Sequence, residues 1–131
     1  MERGARLPQQ VSVRYPCPCC GYPTLEERGG YDICELCNWE DDGQDDPRAD
    51  EVWGGPNQHN SLTESRQNFK KYLIMYDPAR EGSRSNSAAV ENAKRELMAA
   101  FERVATAGVP RGQQEAWRRV HDAEAVLLAA E

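Results

Sequence analysis

A small α+β fold, pinned at one point and extended by helices, is predicted from three observations. All five cysteines of the 131 residues fall between Cys17 and Cys37. A Ser-Leu-Thr-Glu motif at 61–64 announces a helix behind them. Two apolar stripes at helical spacing then follow a stretch rich in Gly, Ser and Pro.

Taken in order, the chain begins with Pro8, two glutamines and three arginines and has no sustained periodicity, so residues 1–14 read as a flexible arm. Within it, Val11 and Val13 alternate with polar neighbours and suit a short strand. The cysteines follow as two C-x2-C pairs, Cys17/Cys20 and Cys34/Cys37, separated by thirteen residues. Two such pairs in a small chain can surround one tetrahedral Zn²⁺ with four thiolates. Pro18 pre-sets the turn after Cys17, which can then aim backbone N–H groups at the sulfur. Gly21 and Asn38 hold matching places after each pair, and both residue types tolerate the left-handed region. The arms therefore read as two copies of one turn, as in a zinc ribbon or rubredoxin. Residues 24–27 and 31–33, on either side of Gly29-Gly30, are expected to form the hairpin that joins them.

Cys17, Cys20, Cys34 and Cys37 are the predicted ligands of one structural zinc ion, and iron suits four thiolates as well. Cys19 breaks the two-residue gap and is vicinal to Cys20, so it reads as a spare thiol, either packing or redox-sensitive. The odd count and the lack of an apolar core near Met1 argue against disulfides and for a reducing cytoplasm. Gly21 and Pro23 leave no room for the helix that a thioredoxin-like C-x-x-C requires.

Trp39 is expected to pack over the site. The run Asp41, Asp42, Asp45 and Asp46 lacks the spacing of a calcium loop and reads as a solvated loop or a partner-facing patch that packing does not require. Residues 52–60 form a loop in which Asn57 and His59 hold the chain by hydrogen bonds, His59 being a weaker candidate ligand. Ser61 and Glu64 open a helix whose inward face is Leu62, Ser65, Phe69, Tyr72, Leu73 and Tyr76, and which covers the ribbon. Residues 77–87 are a linker. A helical hairpin over 88–131 follows, with one stripe of Ala93, Leu97, Ala100, Phe101 and Val104 and another of Trp117, Val120, Ala123, Leu127 and Leu128. The cysteine-rich domain is thus 15–76.

Tyr-Pro-Cys-Pro-Cys-Cys-Gly at 15–21, Glu-Arg-Gly-Gly-Tyr-Asp-Ile-Cys at 27–34 and Cys-Asn-Trp-Glu-Asp-Asp-Gly at 37–43 resemble the cysteine-rich CPCC family of small bacterial proteins. Asp-Asp-Pro at 45–47, Asn57 and residues 61–69 resemble its later segments. The resemblance covers about 15–72, leaves the tail beyond Tyr76 uncovered, and implies a small metal-binding domain without bringing an activity.

Charge narrows the function. Net charge is −6, and residues 26–51 hold eleven carboxylates against Arg28 and Arg48. Nucleic-acid binding begins with a basic face, so this chain suits a basic protein surface instead. Four thiolates would close the metal shell, whereas a catalytic zinc keeps a position open. Neither of the two histidines lies in a zinc-hydrolase motif. No apolar run is long enough to cross a bilayer. The reading is a non-enzymatic, cytoplasmic protein-binding or adaptor module. By analogy, an immunity or antitoxin role is one form of it. A redox-sensing or enzymatic protein using Cys19 is the alternative, and the C-terminal helices offer a homo-oligomer contact.

Overall fold

The computed structural model describes residues 14–81 and 85–131. The arm over 1–14 and the strand expected near Val11 therefore lie outside the described residues, except for Arg14. Two compact units emerge, one over 14–87 and the other including 88–131.

In the first unit, β1 (Tyr15–Pro16) pairs antiparallel with β2 (Pro23–Leu25). Tyr15 faces Leu25 and Pro16 faces Pro23, so Thr24 is bulged out of register. The hairpin is thus not where the sequence placed it. It closes the first cysteine turn upon itself, rather than joining the two turns across Gly29-Gly30. The second turn closes on itself too, through a single antiparallel bridge between Ile33 and Glu40. The connecting segment cannot run extended, because Gly29 (φ 71°) and Tyr31 (φ 65°) are both left-handed.

Single 3₁₀ turns at Asp46–Arg48 and Gly55–Asn57 lead to α1 (Leu62–Tyr72). Its capping box forms as the motif predicts: Glu64 N–H donates to Ser61 Oγ at 3.0 Å, and Ser61 N–H donates to Glu64 Oε1 at 3.1 Å. Leu62, Ser65, Phe69 and Leu73 are buried, while Tyr72 and Tyr76 are only half-buried. The helix stops at Leu73, which is left-handed (φ 57°) and sends its N–H to Phe69 O. Asn86 Nδ2 then donates to the carbonyls of Tyr72 and Leu73. α1 is tied to the first cysteine turn by Arg66 Nε, which donates to Pro18 O at 2.8 Å. The chain after α1 is tied to the second turn by Met75 N–H, which donates to Cys37 O at 2.8 Å. Leu25, Leu36, Trp39 and Leu62 are fully buried in this unit. The stretch read as a linker carries a one-turn helix, α2 (Pro78–Glu81).

In the second unit, α3 (Ala88–Thr106) and α4 (Pro110–Ala130) pack against each other as a hairpin. Pro110 begins α4, where a missing N–H costs nothing. Gln113 Nε2 reaches back to the carbonyls of Val104 and Ala107, capping the end of α3. Phe101 and Trp117 meet edge to face with centroids 6.3 Å apart. The α3 stripe holds except at its end, where Val104 is half-buried. On α4, Trp117, Val120 and Leu127 are buried, whereas Leu128 is 74% exposed. The apolar face continues at a spacing of three and four and leaves Leu128 one residue, about 100°, around the helix.

Candidate metal centre

The two cysteine turns are the same structure, displaced by 17 residues. Cys17 N–H donates to Tyr22 O and Cys34 N–H to Trp39 O, both at 2.9 Å. Gly21 N–H returns to Cys17 O at 2.8 Å and Asn38 N–H to Cys34 O at 2.9 Å. Gly21 (φ 85°) and Asn38 (φ 70°) take the left-handed conformation, as their residue types foretell. Each turn thereby presents its two thiols from one side.

The sulfurs of Cys17, Cys20, Cys34 and Cys37 all lie within 4.8 Å of one another. Cys17 and Cys37 sulfurs are 3.6 Å apart, as are those of Cys20 and Cys34. Four sulfurs held tetrahedrally at about 2.3 Å from a metal stand about 3.8 Å from each other. The cluster therefore has the dimensions of a tetrathiolate site that could hold one metal ion, and these dimensions suit zinc and iron alike. Three of the four thiols are buried and Cys20 is half-buried.

Donors converge on the sulfurs. Cys37 N–H points at Cys34 Sγ (3.5 Å) and Trp39 N–H at Cys37 Sγ (3.4 Å). Thr24 Oγ1 lies 3.0 Å from Cys34 Sγ, aimed there by the bulge in β2. Sequence reasoning missed Thr24 as a donor to the cluster, because it is brought there by the bulge. Burial opposes ionisation of Cys34, but hydrogen bonds from Cys17, Cys20, Cys37 and Thr24 outweigh it and hold this thiol well below its usual range. Cys37 is pushed well up, by burial first and then by hydrogen bonds to its thiol neighbours. Cys20 is pushed up by its hydrogen bonds to Cys17 and Cys34 and by burial. A divalent cation would displace the protons of the clustered thiols.

Cys19 is also buried but stands outside the group of four. Trp39 is fully buried beside the second turn. His59 is not among the clustered ligands, and its Nε2 lies 2.8 Å from Glu81 Oε2. Asn57, 3% exposed, pairs with the Glu40 backbone in both directions, accepting from N–H and donating to C=O.

The acidic run departs from its reading as a free loop. Asp41 is fully buried. Its Oδ2 accepts from Arg28 Nε at 2.9 Å and from Gly29 N–H at 2.6 Å, and its Oδ1 accepts from Gly43 N–H. Asp42 caps the next turn through Gln44 N–H. Asp45 meets Arg28 Nη1 at 3.0 Å, and Asp46 meets Arg66 Nη2 at 2.6 Å. These carboxylates brace the loop against arginines distant in sequence, an arrangement that no local pattern announces.

Two like turns, four clustered cysteines and a small hairpin beside them point to a cysteine-rich metal-binding module. The family model described as cysteine-rich CPCC matches residues 15–96, and the chain belongs to that family. The match extends past Tyr76, where the resemblance was expected to end, and reaches into α3. No curated protein and no solved structure matches the chain. Among the described residues no helix is long and apolar enough to cross a membrane.

Proposed function

We propose that Cys17, Cys20, Cys34 and Cys37 ligate one structural zinc ion, and that the module acts by binding another protein rather than by catalysis. The observation that carries the reading is the convergence of four sulfurs at tetrathiolate spacing. Four thiolates leave no position for water or substrate on the metal. The excess of carboxylates favours a partner with a basic surface, which in an immunity or antitoxin setting would be a toxin. With Asp41 buried and Asp45 and Asp46 paired, the exposed Glu26 and Glu27 are better placed than that loop to meet it. A redox reading rests on Cys19, a buried thiol next in sequence to the ligand Cys20.

Elemental analysis of protein purified without added metal should give about one zinc per chain. Cys34→Ser should lose the metal and unfold the first unit, while Cys19→Ser keeps both. Iron at one equivalent would correct the metal. Two disulfides with no metal would sink the reading, and equal metal loss in both variants would reassign the ligands.

A further inference from the structure

A hollow of about 350 Å³ lies between the second cysteine turn, the 55–60 loop and the segment that follows α1. That volume is at the lower end of the range for small-ligand sites, roughly 300–1,000 Å³. Ile33 and Asn38 form one wall, Gln58 another, and Met75, Tyr76 and Glu81 complete it. Among the described residues no arginine or lysine lines it, and Glu81 is its one carboxylate.

Glu81 Oε2 lies 2.8 Å from His59 Nε2, and both atoms are shielded from solvent although the contact lacks hydrogen-bond geometry. Among the described residues Oε1 has no partner. The exposed side-chain amides of Asn38 and Gln58 likewise carry no hydrogen bond among the described residues. Gln58 has φ 56° and ψ −123°, a conformation that suits glycine. A glutamine kept there in spite of its backbone places a long amide at the rim of the hollow.

We propose that this hollow binds an organic cation, a guanidinium or primary ammonium group. Glu81 Oε1 serves as counter-ion, and the amides of Asn38 and Gln58 orient the bound group. An ionised acceptor with part of its hydration already removed favours a charged donor over a neutral one. The apolar stem of such a ligand would lie along Ile33 and Met75. The cation comes either as a free amine or as a basic side chain of a peptide, and the chemistry of recognition is the same.

Methylguanidinium, butylammonium and a blocked tripeptide with a central arginine can each be titrated into the isotope-labelled, metal-loaded full chain, with acetate as the control. Saturable amide shifts are expected at Ile33, Asn38, Gln58 and Tyr76. Glu81→Gln should weaken binding at least about tenfold. Gln58→Gly should raise the melting temperature, by relieving the left-handed backbone, and lower the affinity. Tighter binding of the tripeptide than of either small cation would assign the ligand as a partner's side chain, and equal binding would assign a free amine. The proposal is overturned if no cation gives saturable shifts, if acetate moves the same amides, or if both variants bind like the parent.

Discussion

Replacing Asp41 with asparagine isolates the contribution of a carboxylate that has no access to water. Asp41 is 0% exposed and receives three donors on its two oxygens, one of them the Arg28 guanidinium. The substituted amide keeps one acceptor oxygen and turns an NH₂ group toward donors. Either the Arg28 and Gly29 pair or the Gly43 N–H then loses its partner. Arg28 retains Asp45 at 3.0 Å, so its charge is not stranded, and the cost falls short of a fully broken buried pair. Loss of charge-assisted bonds at a buried site corresponds to about 2–4 kcal/mol. For a unit of this size that lowers Tm by on the order of 10 °C or more. Asp46→Asn is the matched control, because that side chain is 79% exposed, and its ion pair with Arg66 is worth about 0–1 kcal/mol. Thermal and urea unfolding of the metal-loaded protein would measure both. Equal, small effects would refute the argument and return the loop to a solvated turn.

Two further outcomes follow from the same geometry. Asp45 is held below its usual carboxylate range by the Asp46 N–H first and by Arg28 next, so its stabilising contribution is complete above about pH 4 and disappears as pH falls through the depressed folded value; Asp45→Asn should flatten that acid limb in a pH series of urea melts. In α4, Leu127→Ala should cost about 2–4 kcal/mol because the side chain is buried, whereas Leu128→Ala should stay within about 0.5 kcal/mol, as read by far-UV circular dichroism melts.

What could be read from the sequence was local. The C-x2-C spacing, the left-handed Gly21 and Asn38, and the box at Ser61 and Glu64 each depend on residues within a few positions, and each appears in the structure. The strand pairing was misplaced because Gly29-Gly30 imitates a hairpin turn. Asp41 was misread because its partner, Arg28, is thirteen residues away and charge alone does not reveal burial. Leu128 was misassigned because two adjacent leucines cannot both face one seam, and composition does not say which one does. Thr24 reaches Cys34 through a bulge, a backbone irregularity that no propensity specifies.

Asn57 has a consequence for how the molecule behaves among its neighbours. The Glu40 N–H and C=O point away from Ile33, as the outer rim of a two-stranded ribbon does, and such a rim is a template for another chain's strand. The Asn57 amide occupies both groups, at 3.1 and 2.7 Å, and does so as a side chain with no strand to pass the pattern on. The ribbon ends there chemically as well as spatially. A short, acidic, cysteine-bearing segment is thereby protected from edge-to-edge growth by a single buried amide, and Asn57→Ala would reopen that rim to self-association.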